Sequence, residues 1–285
     1  MKKIRIVSDS TCDLSAELIE KYDITVIPLC IILGEKSYFD GVDISPAQIY
    51  EWSDENKTTP KTAGITFDKL DEIVKPLFES GDDIIYIGIS EDMSSTCNTS
   101  RIYGEDAEYN RFFVINSKNL STGIGLQVLR ACELRDAGKS AEEIVSEIEG
   151  ARDLVRASFV VADKLTYLAR GGRCTAVTAL MANALKLHPE IVVRDGKMGV
   201  GRKYRGKTSV AVSAYVDGLM PALEAADPRR VFITHSGCED EVIEAVRQRL
   251  TELGRFEEIL ITRAGGVISS HCGPNTLGVL FYEQK

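Results

Sequence analysis

The chain has 285 residues, 44% apolar and 27% charged, with 34 Lys and Arg against 43 Asp and Glu. That is the composition of a globular protein of one large or two ordinary domains, and it excludes disordered, collagen-like and disulfide-scaffold classes. No apolar run reaches the ~20 residues of a membrane-spanning helix. The longest, Ile24 to Leu33, is strand-sized and broken by Thr25 and Pro28. Asp9 follows Met1-Lys2-Lys3 too soon for a signal peptide, so a cytoplasmic protein without stable membrane insertion is expected. Charge is uneven along the chain. Residues 1–155 carry 16 basic and 29 acidic side chains, and residues 156–285 carry 18 and 14. Ten basic residues from Lys164 to Lys207 stand against Asp163, Glu190 and Asp195. Such an excess is too small for non-specific nucleic-acid binding, and it suits one small anion or an acidic partner protein.

Ile4 to Val7 reads as a buried strand ending in Ser8-Asp9-Ser10-Thr11, and Leu14, Leu18, Ile19 and Tyr22 have helical spacing. Thr25 to Leu29 is a second strand. Ile31 to Phe39 is a hairpin turning at Gly34. Ser45-Pro46 opens a helix to about Asp54, and Thr66 caps another. Asp83–Gly88 is a strand, Thr96–Tyr103 a helix, Arg111–Asn116 a strand and Gly123–Ala137 a helix, with Ser140 capping the next. This strand–helix alternation predicts a mostly parallel sheet with helices on both faces over residues 1–155, with ligands at the carboxyl ends of the strands.

From about Arg152–Arg156 the rhythm changes. A strand at Ser158–Val161, a short helix stopped by Gly171-Gly172, and a helix at Ala176–Leu187 precede a hairpin turning at Asp195-Gly196. A long helix, Ser209–Ala226, ends at Asp227-Pro228. Then come a strand at Val231–His235, a helix at Glu239–Leu253 and a strand at Glu258–Thr262. Ser269 to Gly278 is a loop or short helix, and Val279–Tyr282 is the last strand. The second half, residues 156–285, is therefore an α+β domain.

Four hydroxyl-rich segments fall where sheet-top loops are expected: Ser8-Asp9-Ser10-Thr11, Thr62-Ala63-Gly64, Ser94-Ser95-Thr96 and Ser121-Thr122-Gly123. Each is an ordinary helix cap by itself. Converging on one point, they would make an anion site. Asp9 reads as an acceptor bracing its loop rather than as a base, and Asp40-Gly41 as a turn. Arg170-Gly171-Gly172-Arg173 offers two guanidinium groups for a carboxylate or phosphate. His271, in Ser269-Ser270-His271-Cys272-Gly273-Pro274, sits in a polar, glycine-flanked setting suited to a site. The seven cysteines lack a Cys-x-x-Cys pair and read as reduced thiols, and His188, His235 and His271 lack metal-ligand spacing, so no metal is expected. No phosphate-loop or dinucleotide motif occurs, and no cofactor is implied. A Ser/His/Asp hydrolase could be drawn from Ser94, His271 and Asp9, but no Gly-x-Ser-x-Gly elbow is present.

Taken together and in order, these pieces resemble the DegV family, which includes the fatty-acid-binding subunits of bacterial fatty acid kinase. The match runs from Ser8 to Leu14 through Asp40 to Ser45, Met93 to Thr96, Ser117 to Gly125, Tyr167 to Arg173 and Lys203-Tyr204-Arg205 to His271-Cys272-Gly273-Pro274. The resemblance implies a two-domain, non-enzymatic carrier. It would hold a long-chain fatty acid in an apolar tunnel and present the carboxylate to a separate fatty acid kinase subunit. By motif the carboxylate contacts fall on Thr62, Ser94, Arg170 or Arg205, and His271, with Ser8, Asp9 and Ser10 bracing the loops nearby. The family's Thr-Ser-Gln-Pro stretch is Thr62-Ala63-Gly64-Ile65 here. Ser95 replaces a glycine and Cys97 an aromatic, changes that bear on the tunnel wall. The rival readings are a hydrolase or acyltransferase using Ser94 and His271, and a carrier of another amphipathic anion.

Overall fold

The computed structural model describes residues 3–161, 165–178 and 187–284. In chain order the first half contains β1 (Ile4–Asp9), α1 (Ala16–Lys21), β2 (Ile24–Ile27), β3 (Cys30–Leu33), β4 (Lys36–Phe39), α2 (Pro46–Asn56), β5 (Lys61–Ala63), α3 (Phe67–Ile73), α4 (Lys75–Glu79), β6 (Asp83–Gly88), α5 (Thr96–Asp106), β7 (Phe112–Asn116), α6 (Thr122–Asp136) and α7 (Ala141–Ala151). The second half contains β8 (Val155–Val161), α8 (Leu165–Gly171), α9 (Thr175–Thr178), β9 (Leu187–Arg194), β10 (Lys197–Arg205), α10 (Thr208–Glu224), β11 (Ala226–His235), α11 (Asp240–Leu253), β12 (Glu258–Arg263), α12 (Gly266–Cys272) and β13 (Thr276–Glu283).

The β-branched runs Ile-Arg-Ile-Val and Ile-Ile-Tyr-Ile form the two central strands of a four-stranded parallel sheet, in the order β2-β1-β6-β7. Ile6 pairs with Ile24 on one side and Ile85 on the other, and all three are buried, as strands covered on both faces require. Helix starts follow their caps. Ser45 with Gln48 and Ser140 with Glu143 form capping boxes, and Thr66 accepts from Lys69 N. A small antiparallel sheet, β4-β3-β5, lies beside this one.

The second half builds a six-stranded sheet in the order β10-β9-β8-β13-β11-β12, antiparallel throughout except for β11 with β12. The β9–β10 turn has Asp195 at φ 48° and Gly196 at φ 80°, the pair of positive values that a tight two-residue hairpin demands. Helix α6 packs against β1 and β6 on one side and β8 and β13 on the other, so it is almost wholly buried. The core around it draws Ile6, Ile87 and Leu129 from one half and Phe159, Phe232 and Leu280 from the other.

Four local expectations change. Thr62-Ala63 is a strand, β5, rather than a loop. The segment expected as a helix from Ala176 shows helix only at Thr175–Thr178. Residues 179–186 lie outside the described residues, and a strand begins at Leu187. Strand β11 starts at Ala226 and runs through Asp227-Pro228. Its pairing with β13 slips between Ala226 and Val231, and an irregular stretch tolerates a proline that offers no N–H. Residues Gly266–Cys272 form a helix, the one that carries His271.

Candidate functional site

The loop after β1 is held by its own side chains. Asp9 is fully buried. Its Oδ1 accepts the Thr11 N–H at 3.0 Å and the Thr11 hydroxyl, and its Oδ2 accepts the Tyr86 hydroxyl at 2.8 Å and the Ile89 N–H at 3.0 Å. Ser8 Oγ donates to the Ile87 carbonyl at 2.7 Å, and Ser10 Oγ accepts the Leu29 N–H at 3.2 Å. Leu29 and Ile89, whose N–H groups are held this way, both line a cavity of about 80 Å³.

That cavity sits where the loops of the parallel sheet meet α8 and α12. Its wall is mostly apolar, with Leu29, Ile89, Met93, Leu120, Leu168, Met198, Val267 and Ile268. Its polar side chains gather in one group: Thr62, Ser94, Arg173 and His271. A second apolar cavity of about 40 Å³ adjoins it, reaching Phe159, Val161, Ile191 and Thr276. The two share Leu120, Leu168, Met198, Ile268 and Cys272 as a common wall.

Thr62, Ser94 and His271 come together from three separate elements. Thr62 Oγ1 and His271 Nε2 lie 2.7 Å apart, joining β5 to α12. Ser94 precedes α5, and its Oγ lies 2.7 Å from Thr96 Oγ1. A Cβ built on Gly64 would lie 3.0 Å from Thr96 Oγ1 and 3.5 Å from Ser94 Oγ, so the backbone after Thr62 packs directly on these hydroxyls. Gly171 makes a similar close approach. A Cβ there would meet His271 Nδ1 at 2.5 Å, so only glycine lets the imidazole pack against the end of α8.

The arginine that lines the cavity is Arg173, where the family motifs point to Arg170 or Arg205. Arg170, exposed on the last turn of α8, donates to the Lys57 carbonyl at 3.4 Å. Arg205 is exposed at the end of β10. Neither lines the cavity. Gly172, at φ +70°, follows the end of α8, and Arg173 comes next on the cavity wall. There its Nε donates to the Met93 carbonyl at 3.4 Å and its Nη1 to the Gly171 carbonyl at 2.7 Å.

Burial, with the Arg173 charge beside it, pushes the His271 imidazole down to about 4, so it is neutral at physiological pH. Among the described residues, its buried Nδ1 has no hydrogen-bond partner. Ser94 Oγ is paired with Thr96 and His271 Nε2 with Thr62. The geometry thus offers neutral donors and one cation on the cavity wall, without, among the described residues, the carboxylate that orients a catalytic histidine. Among the described residues, no group of three or more His, Cys, Asp or Glu side chains is arranged to hold a metal ion, and no helix is long and apolar enough to cross a membrane.

Two further carboxylates, Asp13, which the sequence offers beside Asp9 as a candidate general-base pair, and Asp40, are buried and brace the backbone. Asp13 Oδ1 accepts the Gly265 N–H at 2.8 Å, and its Oδ2 accepts Ser121 Oγ–H at 2.5 Å. Burial, with the negative charges of Asp40 and Asp9 nearby, pushes the Asp13 carboxyl up to about 8. Asp40, read as part of a turn, is buried and bonds the first turn of α12. The acidic first half signals carboxylates in abundance but not which of them are inside.

Residues 3–284 match the family model described as "Uncharacterised protein, DegV family". The chain belongs to the DegV family. A DegV domain-containing protein of Clostridium acetobutylicum is 33% identical over 284 residues, spanning 100% of both chains. The fold is that of a DegV family protein from Thermus thermophilus described for its fatty acid binding, with TM-score 0.90 and 30% identity over 99% of this chain and 100% of that one. It is also similar to a stearic-acid-binding protein from Eubacterium ventriosum, with TM-score 0.83 and 26% identity over 99% and 98% of the two chains.

Proposed function

We propose that this protein is a cytoplasmic, non-enzymatic carrier that holds a long-chain fatty acid with its carboxylate at Thr62, Ser94 and His271. The observation that supports this best is a mostly apolar cavity whose wall includes Thr62, Ser94, Arg173 and His271, with Thr62 bonded to His271 and the Arg173 charge beside the imidazole. A ~16-carbon acid hides about 14 methylenes at ~0.8 kcal/mol each, on the order of 11 kcal/mol gross, so the tail supplies affinity. The head must be hydrogen-bonded and charge-paired, or its desolvation cancels that gain. The hydroxyls of Thr62 and Ser94 donate to it, His271 Nε2–H polarises Thr62, and Arg173 supplies the charge. The cavities as they stand, about 80 and 40 Å³, are too narrow for such a tail. Its entry therefore moves the shared wall, where Met198 is the flexible side chain that yields.

In this proposal residues 1–155 and 156–285 are the two domains, the second closing over the head group. The carboxylate is presented there to a separate fatty acid kinase subunit. The basic strip on β10, with Arg202, Lys203 and Arg205 all exposed, would face an acidic surface of that partner. The hydrolase reading is disfavoured by an imidazole held down to about 4 and so a weak base, bonded to Thr62 rather than to Ser94, and without a carboxylate at Nδ1 among the described residues. Mass spectrometry of lipid extracted from the purified protein tests the carrier reading. A copurified long-chain acid is expected. A lipid-free protein that hydrolyses an activated acyl ester would contradict it.

A further inference from the structure

Helix α12 carries His271 on its last turn, while its first turn is held by a residue 226 positions earlier in the chain. Asp40, only 4% exposed, uses both carboxylate oxygens: Oδ1 accepts the Gly266 N–H at 2.6 Å and Oδ2 the Val267 N–H at 3.0 Å. Ser10 also hydrogen-bonds Asp40. A Cβ on Gly266 would lie 2.9 Å from Asp40 Oδ1 and 2.6 Å from Ile31 Cδ1, so this approach exists only because residue 266 is glycine. The helix has little reason to form by itself. It is seven residues long and opens with Gly-Val-Ile, a sequence of low helix propensity in a length below what stands alone in water.

We propose that Asp40 is a positioning residue for the head-group site: its carboxylate fixes the start of α12 and so sets the imidazole of His271 against Thr62. This rests on the reading of Thr62, Ser94 and His271 as that site. The tolerance is narrow. His271 Nε2 lies 2.7 Å from Thr62 Oγ1, and a shift of about 1 Å takes the pair out of hydrogen-bond range. Asparagine at position 40 would accept one N–H but turn its own NH2 toward the other. Asp40→Asn therefore loses one contact and creates a donor–donor clash, with almost no change in side-chain volume.

The test uses the full chain without ligand, with 15N-labelled histidine followed by NMR across pH. In the wild type, His271 stays neutral from pH 5 to 8, as its value of about 4 requires. In Asp40→Asn its resonances move and its midpoint rises toward the ordinary 6.5. An unmoved His271 in folded Asp40→Asn overturns the proposal. Palmitate titration calorimetry then separates routes. Asp40→Asn alone is expected to weaken binding about 10-fold, the scale of one hydrogen bond to a charged group. In a His271→Ala background it is expected to cost less than about 2-fold, and additive losses overturn the route through His271. If Asp40→Asn does not fold, Ser10→Ala, which removes the Ser10 bond to Asp40 together with the one Ser10 accepts from the Leu29 N–H, is read by the His271 titration alone, where a smaller shift in the same direction is expected. Wild type that fails to bind palmitate overturns the carrier reading, while the imidazole titration still decides the role of Asp40.

Discussion

The two cavities differ in what their polar residues offer, although both are lined by hydroxyl and imidazole side chains. Around the second, each hydroxyl is already spent inside the protein. Ser121 donates to Asp13, Thr234 bonds Thr122 at 2.6 Å and Thr262 at 3.1 Å, Ser236 donates to the Gly273 carbonyl at 2.6 Å, and Thr276 donates to the Cys272 carbonyl at 3.2 Å. What faces the space is therefore carbon. At the first cavity, Thr62 and His271 bond each other, Ser94 bonds Thr96 and Arg173 bonds nearby carbonyls, all on the cavity wall, where an entering anion can take over those bonds. A threonine is polar or greasy to a ligand according to where its hydroxyl is committed, which residue type alone does not tell.

Placing a charge on the wall the two cavities share should break this division most severely. Met198→Glu is expected to abolish palmitate binding by about three orders of magnitude or more in titration calorimetry, because an unpaired carboxylate would have to be buried beside the tail. Retained binding would show that the tail does not cross this wall. Loss of one donor at the mouth costs less. Ser94→Ala or Thr62→Ala is expected to weaken binding roughly 10- to 150-fold, the equivalent of about 1.5–3 kcal/mol for a hydrogen bond to a charged group. The conservative change Thr276→Val beside the second cavity should leave the affinity within a few-fold once folding is confirmed. Comparable losses at both places would erase the distinction.

Arg173→Gln should act more weakly still. The side chain is at the rim, so a loss of about 3- to 10-fold is expected at low salt, shrinking as salt rises. A last effect, on stability rather than on affinity, concerns pH. The folded chain holds His271 down near 4 against 6.5 for the free side chain. Between those values the unfolded chain binds more protons, so stability of the unliganded protein falls as pH drops from about 6.5 to 4. His271→Gln should flatten that part of the slope in urea titrations, and an unchanged slope would mean that the imidazole is solvated.

The division of the chain into a parallel α/β sheet and a mixed, mainly antiparallel sheet was legible because it is written in local signals. These are β-branched runs for β1 and β6, Ser-Pro and Thr caps for α2 and α3, and Asp195-Gly196 for the β9–β10 hairpin. The gathering of Thr62, Ser94 and His271 followed from family motifs, not from spacing. Two features were not legible. Arg173 rather than Arg170 lines the cavity, directly after Gly172 at φ +70°, and a φ angle is invisible in a Gly-Gly pair. The bonds from Asp40 to α12 span 226 and 227 positions, so the aspartate looks like a turn residue until its distant partner is placed. Helix α12 was obscured for the same reason, since contacts rather than propensity hold it.

A crystal structure of the protein with palmitate tests the central claim most directly. The carboxylate is expected within hydrogen-bond distance of Thr62 Oγ1 and Ser94 Oγ, with the tail running past a displaced Met198 toward Phe159 and Ile191. A palmitate lying in the reverse direction, with its carboxylate beside His235, or bound outside both cavities, would contradict it.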